Sequence, residues 1–386
     1  EQVVRQVSPS VVGIRAQRRQ LLPAADGATG PESTPLEQHV IVNGTGTIIT
    51  ADGLILTNEH VIQATTEIEV LFFDGRTTDA TVLAADPRND LAILHVPRSG
   101  LTPAAFCDWS AVARGQWCVV SGNPYGLGSD GQLSVSVGVV ANLGRQLPGL
   151  GEVDDRFYCD MIQVTAPISP GNSGGPLFNI HGELLGVVTA MHTRTPSDEG
   201  IGFAIPLSPA KRAAIDTLCQ GRPVQHGYLG LTVRSAQAAE RDGNTVSGGV
   251  VVQKIERNGP AAQAGLEVGD VIVDFEGQPV HGPAHLAELA GQMRIGTLVA
   301  LNVLRAGRQT VVPVTVALRD VSRVAWMRSG AVTWRGMRLT DLSEDARRCL
   351  HIEGASHGVV VIDVEEKTPA SRAKIQIGDI IERIGD

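Results

Sequence analysis

The feature that most limits how this chain can fold is a duplication in its C-terminal half. Gly249-Val250-Val251-Val252 returns as Gly358-Val359-Val360-Val361, 109 positions on. Pro260-Ala261, Ala264 and Gly269-Asp270-Val271-Ile272 return at the same offset as Pro369-Ala370, Ala373 and Gly378-Asp379-Ile380-Ile381. One offset shared by several separated positions marks a duplicated module, and a period this long is a domain, not a solenoid repeat. Two tandem modules are therefore expected, over residues 226–319 and 330–386, the second cut short by the end of the chain. The stretch Cys219-Gln220-Gly221-Arg222-Pro223-Val224 reads as the linker in front of them. The 386 residues then leave one larger domain over 1–218, with a closing helix at Pro209–Leu218.

That first domain reads as mainly β. Aromatic residues make up only 4% of the chain, whereas Gly (44 residues) and Val are abundant, which favours short strands and turns. A hairpin is expected where Gly44–Thr50 and Leu54–Thr57 flank the turn Ala51-Asp52-Gly53. Further strand-like runs fall at 68–73, 80–84, 91–96, 117–121, 132–140, 161–164 and 183–191. Turn signals separate them at short intervals, the pattern of a barrel or sandwich. Residues 1–16 suggest a short helix and then a strand. Residues 17–40, polar and rich in Gly, Pro and Ala, read as a long surface loop.

Composition excludes several classes. A net charge of −9 leaves no basic surplus to neutralise phosphates, so no nucleic-acid partner is expected. No run of 18 apolar residues occurs, so no membrane span is expected in this chain. The chain starts at Glu1 without a signal peptide and is read as a mature or trimmed fragment. Five scattered cysteines without a CxxC argue against a zinc knuckle or a thioredoxin-like site. Cys107 and Cys118 could pair across a hairpin; buried free thiols are the other reading.

The chemistry concentrates in Ala166-Pro167-Ile168-Ser169-Pro170-Gly171-Asn172-Ser173-Gly174-Gly175-Pro176-Leu177. Glycine accepts positive φ and close backbone approach, and proline fixes chain direction on either side. Such a segment can hold one hydroxyl and several backbone N–H groups in a fixed arrangement. A nucleophilic serine needs a general base and a carboxylate to orient it. Thr57-Asn58-Glu59-His60-Val61-Ile62 places a histidine just after a strand, and Asp86-Pro87-Arg88-Asn89-Asp90 places an aspartate just before one. The order His60, Asp90, Ser173 is that of chymotrypsin-type β-barrel proteases.

The motifs TNEHVI, DPRNDLAIL and PGNSGGPL, with PSVVGI before them and GIGFAIP (200–206) after, resemble those of the HtrA/Deg family of serine proteases. The resemblance implies a chymotrypsin-like double β-barrel followed by two α+β PDZ domains, the second truncated. It makes His60 the base, Asp90 its orienting carboxylate and Ser173 the nucleophile, with Gly171, Asn172 and Ser173 forming the oxyanion hole. Ile168, Ile201, Phe203 and Ile205 are its candidates for an S1 pocket suited to a modest aliphatic residue. In the first PDZ domain, Tyr228, Leu229, Gly230 and Leu231 would form the carboxylate-binding loop. The helix 283–293, with Leu286 and Leu289, would wall the groove, and Trp334-Arg335-Gly336-Met337 would be the loop's counterpart in the second domain. Gly-rich stretches at 127–131 and 143–155 are candidate activation loops.

The function implied is an ATP-independent endopeptidase of protein quality control, acting outside the cytoplasm on unfolded polypeptides, with peptide C-termini as PDZ ligands. Neither metal nor cofactor is implied. A PDZ-based chaperone or scaffold with latent proteolysis is the alternative. A homo-oligomer is expected, trimer-based in the family, although residues 1–40 contain none of the aromatic residues through which members commonly trimerise.

Overall fold

Short apolar runs bounded by Gly and Asp turns pair into sheets throughout the computed structural model. It describes residues 1–22, 36–123, 126, 133–147, 156–189, 201–237, 248–319, 332–342, 358–364, 368–373, 375 and 379–383. Two compact units result, Glu1–Ala317 and Leu318–Asp386.

A short helix α1 (Gln2–Val7) leads into a seven-stranded sheet of β1 (Val11–Leu22), β2 (Leu36–Ile48), β3 (Leu54–Thr57), β4 (Thr65–Leu71), β5 (Thr77–Asp79), β6 (Thr81–Asp86) and β7 (Leu91–His95), in the order β5-β4-β1-β2-β3-β7-β6. The expected hairpin forms, with Thr47 opposite Leu56 and Ile48 opposite Ile55. Gly53 takes a φ of 110° in its turn, where an added Cβ would strike the Val96 carbonyl.

The expected loop over residues 17–40 is corrected at both ends. Residues 17–22 of β1 pair in unbroken register with 36–41 of β2, from Gln17 opposite Ile41 to Leu22 opposite Leu36. A two-stranded ribbon is held by main-chain hydrogen bonds that any sequence supplies, so no apolar alternation announces it.

The second sheet contains β8 (Ala105–Phe106), β9 (Trp117–Gly122), β10 (Ser134–Arg145), β11 (Met161–Val164), β12 (Pro176–Asn179), β13 (Glu183–Thr189) and β14 (Gly202–Pro206). It runs β12-β9-β10-β11-β14-β13-β8, and β12 also pairs with β13, which closes a barrel. Three cores follow from strand alternation. Ala92 and Leu94 join Ile14, Ile48 and Val70 in the first sheet's core. Their neighbours Leu91 and Ile93 join Phe178, Val187 and Ile205 in a core shared by the two sheets. Strand β7 is thus buried on both faces, which is why Leu91-Ala92-Ile93-Leu94 is a continuous apolar run. Val120, Ile162 and Leu185 fill the second barrel.

Helix α3 (Pro209–Cys219) buries Lys211, Ala214, Ile215 and Leu218. The first repeated module comprises β15 (Gly227–Tyr228), β16 (Leu231–Ser235), β17 (Val250–Ile255), α4 (Pro260–Gln263), β18 (Val271–Phe275), β19 (Gln278–Pro279), α5 (Pro283–Gln292), β20 (Leu298–Arg305) and β21 (Arg308–Thr315). Strands β16-β17-β18-β20-β21 form its main sheet. The two-residue β22 (Ala317–Leu318) lies at the unit boundary, beyond which come β23 (Val332–Trp334), β24 (Met337–Asp341), β25 (Val359–Val364), α6 (Pro369–Arg372) and β26 (Ile380–Ile381).

The duplication extends to individual hydrogen bonds. Val252 N donates to Asp270 O and Ala264 N to Pro260 O in the first module. Val361 N donates to Asp379 O and Ala373 N to Pro369 O in the second, each at the 109-residue offset. The expected loop counterpart at 334–337 is a two-residue hairpin, Trp334 pairing with Met337 across Arg335 (φ 49°) and Gly336 (φ 82°). Two successive positive φ values match strand twist in such a turn.

Candidate active site

Asp90 is set by the turn that precedes it. The Asp86 carboxylate accepts hydrogen bonds from the Arg88 and Asn89 main-chain nitrogens, and Asp90 N reaches Pro87 O at 3.3 Å. Asp90 itself has a φ of 54°, a left-handed conformation that Asp tolerates better than most residues. Its carbonyl accepts from Asn58 Nδ2 (2.9 Å) and Glu59 N (3.2 Å). Its Oδ1 accepts from His60 N (3.0 Å), and its Oδ2 lies 2.7 Å from His60 Nδ1. One aspartate therefore satisfies the first N–H groups of the four-residue helix α2 (Glu59–Ile62) and orients the ring that the helix carries. The hydrogen-bond network assigns the proton to Nδ1, which leaves Nε2 as the basic nitrogen. The Asp90 side chain is fully buried, whereas that of His60 is 30% exposed.

Two residues absent from the sequence reading, Tyr158 and Arg156, complete the aspartate's surroundings together with Glu59. Tyr158 donates its hydroxyl to Asp90 Oδ2 at 2.9 Å. Arg156 donates to Asp90 Oδ1 and, at 2.7 Å, to Glu59 Oε2. Burial acts to raise the Asp90 pKa, but the His60 ring with its hydrogen bonds and the Arg156 guanidinium outweigh it and hold the carboxyl below its ordinary value. Burial, and then the Asp90 charge, push the Tyr158 hydroxyl far up, so it remains a donor. Glu59 lies within the quoted TNEHVI motif, although nothing in the motif assigns it a partner. Arg156 and Tyr158 lie 66 and 68 positions from Asp90 and carry no local signal.

Ser173 is held from the first sheet. Its carbonyl accepts from Thr45 N at 2.9 Å, and the Gly171 carbonyl accepts from Thr45 Oγ1 at 2.7 Å. Thr45 O in turn accepts from Thr57 Oγ1 at 2.8 Å. Thr45 thus ties the serine segment to the strand that leads into His60, a role hidden in the plain sequence Gly44-Thr45-Gly46. Gly174, at φ +83°, packs so closely that a Cβ would meet Thr57 Oγ1, Thr45 O and Asn58 N. The serine segment consequently lies against the two residues that open α2.

Gly171 has a φ of 99°, and among the described residues its N–H donates to no main-chain carbonyl. Asn172 departs from the expected oxyanion hole. Its N–H is committed to Ser169 O at 3.0 Å, and its Oδ1 is buried beside Gly122. The S1 candidates lie on different faces. Ile168 lies against Gly202 and packs on the second barrel's core. Phe203 and Ile205 point to the opposite face of β14, into the core between the sheets, and Ile201 is exposed. The period of two along a strand forces this split.

In the first module, Gly230 (φ 74°) makes the turn between Tyr228 and Leu231. Leu229, Leu286 and Leu289 are buried together in the module's core, with Leu231 packed partly against it. The segments 127–131 and 148–155, and Cys349, lie outside the described residues. Cys107, Cys118, Cys159 and Cys219 are free thiols, so the Cys107–Cys118 pairing does not occur. Among the described residues, no helix is long and apolar enough to cross a membrane, and no cluster of His, Cys, Asp or Glu is placed to hold a metal.

Comparison with known proteins agrees with this geometry. Residues 44–187 match the trypsin-like peptidase domain family, and residues 227–316 match the PDZ domain family. A probable periplasmic serine endoprotease, DegP-like, of Pseudomonas fluorescens is 34% identical over 353 residues, covering 89% of this chain and 71% of the relative. A protein of the same description from Halomonas elongata is 35% identical over 348 residues, covering 89% and 70%. The chain belongs to the HtrA/DegP-like family of serine proteases. Among solved structures, the HtrA-type protease AlgW with a decapeptide aligns at a TM-score of 0.65 and 30% identity, covering 82% of this chain and 98% of that one. The serine endoprotease from Yersinia pestis aligns at 0.57 and 29%, covering 83% and 97%. This HtrA protease is a serine endopeptidase, mainly β, with its trypsin-like domain joined to a PDZ module.

Proposed function

We propose that His60, Asp90 and Ser173 form the catalytic triad of an endopeptidase that cleaves unfolded polypeptides in protein quality control outside the cytoplasm. The observation that carries this reading is the double hold of Asp90 on His60, at its main-chain nitrogen and at Nδ1, with Thr45 fastening the Ser173 segment beside it. His60 Nε2 takes the proton from Ser173 Oγ as that oxygen attacks the scissile carbonyl. The imidazolium that forms is stabilised by the buried Asp90 carboxylate. The N–H groups of Gly171 and Ser173 stabilise the tetrahedral oxyanion, a single such donor being worth about 3 kcal/mol. The proton then passes to the leaving amine, and water, deprotonated by the same imidazole, hydrolyses the acyl-enzyme. Ile168 beside Gly202 is the S1 residue in this reading and favours small aliphatic side chains.

The turn at Gly230, between β15 and β16, is the proposed seat for a peptide C-terminus, whose backbone adds to β16 as a strand. The relatives' description as periplasmic supports an extracytoplasmic location. Cleavage of unfolded casein by the parent chain and by Ser173→Ala, with and without a C-terminal peptide, tests the reading. Cleavage should vanish in the variant. Substrate binding without cleavage in the parent under every condition would instead make the chain a peptide-binding chaperone.

A further inference from the structure

Two buried carboxylates beside His60 share one buried guanidinium. Arg156 spans Glu59 Oε2 and Asp90 Oδ1, and the side-chain exposures of Arg156, Glu59 and Asp90 are 3%, 9% and 0%. We propose that Arg156 is a positioning residue for the reaction, which together with Glu59 sets the charge that the His60 imidazole faces through Asp90. This rests on the triad reading above.

A buried carboxylate pair without a cation between its members cannot keep both ionised, because each charge raises the other's pKa in a poorly solvated site. Arg156 makes the pair tolerable. Its planar fork can serve two carboxylates at once, which a lysine ammonium does less well. The same guanidinium draws on the Asp90 charge that must stabilise the imidazolium, and Glu59 offsets that drain. Glu59 and Arg156 are thus a balanced insertion beside the triad: one negative and one positive charge, leaving the net charge near His60 unchanged. The groups facing Asp90 are His60, Arg156 and Tyr158. Arg18 lies in the electrostatic reach of Glu59 and Arg156 and donates to His60 O at 2.9 Å. It adds a second, half-buried cation that all the variants below retain.

The chain direction supports a dedicated role. In the run 156–159, side chains alternate. Arg156 and Tyr158 reach Asp90, whereas Phe157 lies under the Arg88 guanidinium and Cys159 bonds to Glu288. The segment therefore presents its guanidinium and its phenol to one carboxylate, and its thiol to another.

The test is the pH profile of kcat/KM on a short peptide substrate, with active sites counted by a fluorophosphonate probe. Arg156→Gln removes a positive charge and should move the acid limb up by about one pH unit. Glu59→Gln removes a negative charge and should move it down by a similar amount. The double variant should return it close to the parent position, and Arg156→Lys, which keeps the charge, should shift it little. A merely structural ion pair predicts loss of stability without these opposed shifts. Unmoved limbs in both single variants, or shifts of the same sign, overturn the proposal. If Arg156→Gln fails to fold, Glu59→Gln and the double variant decide: no downward shift in the former overturns it. Ser173→Ala is run alongside. Residual cleavage there sinks the triad reading itself, whereas abolished cleavage with unmoved limbs sinks only the role of Arg156.

Discussion

Lys211→Met should loosen the junction between the protease domain and the first PDZ module by about 3 kcal/mol. Lys211 Nζ lies 2.6 Å from Asn89 Oδ1 and 2.9 Å from Glu288 Oε1, so helix α3 is tied to both the Asp90 turn and helix α5. Both charged side chains are buried, at 4% and 3% exposure. Burial acts to raise the Glu288 pKa, but Lys211 and the Cys159 hydrogen bond outweigh it, and the carboxyl sits below its ordinary value. Removing the lysine leaves that carboxylate, among the described residues, with the Cys159 thiol and the Gln292 amide as hydrogen-bond partners. Breaking a buried pair in this way costs roughly 3–5 kcal/mol, and the lower end applies because Glu288 can take up a proton. Replacing both partners by Met removes the buried charge and should come within about 1 kcal/mol of the parent.

Cys159 reports the opening, because its thiol bonds to Glu288 and to Ala284 O on α5. Thiol labelling at Cys159, followed by peptide mass spectrometry, should quicken about a hundredfold in Lys211→Met, since each 1.4 kcal/mol is about tenfold. The effect should shrink as pH falls, because the unpaired Glu288 then neutralises. Labelling within threefold of the parent, or a double variant as fast as the product of the two single effects, would refute the argument.

Burial, and then the neighbouring Glu288 charge, push the Asp160 carboxyl from its ordinary 3.8 up to about 6, against the pull of Lys211. A folded-state pKa raised this way gives stability that is present below about pH 4 and lost as pH rises through 6. Asp160→Asn should therefore raise stability by up to about 3 kcal/mol at pH 8 and by nothing at pH 4, measured by urea unfolding at both values. Gly174→Ala forces a Cβ into Thr57, Thr45 and Asn58 at a φ of +83°, and should lower kcat at least about a hundredfold in a peptidase assay. Gly230→Ala places a Cβ 2.9 Å from Pro260 Cδ at a φ of +74°. By fluorescence anisotropy it should weaken binding of a C-terminal peptide about tenfold while hydrolysis of a short substrate without added peptide persists.

What could be read from sequence was whatever the chain encodes locally. Asp90 stood out because it opens a strand buried on both faces, whose unbroken apolar run marks its position. Ser173 stood out because only glycine fits on its C-terminal side, where Gly174 meets Thr57 and Thr45. The duplicated module was legible because equal spacing survives as equal hydrogen bonds. Arg156 and Tyr158 were not, because a contact between residues 66 or 68 apart leaves no period to detect. Phe203 and Ile205 face the core between the sheets while Ala204 faces the second sheet's own core, a division that alternation along β14 imposes and that a run of apolar letters does not display.

The turn 86–90 links Asp90 to the junction with the PDZ module. Asp86 binds His226 Nε2 at 2.8 Å, at the entry to the PDZ module, and both side chains are buried. Burial acts to raise the Asp86 pKa, but the His226 and Asn89 hydrogen bonds outweigh it, so the carboxyl stays ionised and keeps the Arg88 and Asn89 N–H groups folded over it. Asn89 then offers its oxygen to Lys211, and the next residue, Asp90, offers its carboxylate to His60. A left-handed φ at Asp90 costs the order of 1 kcal/mol, and it persists only because both neighbouring bonds over-determine it. Asp86 and Asp90, at the two ends of one turn, thus face His226 and His60 respectively.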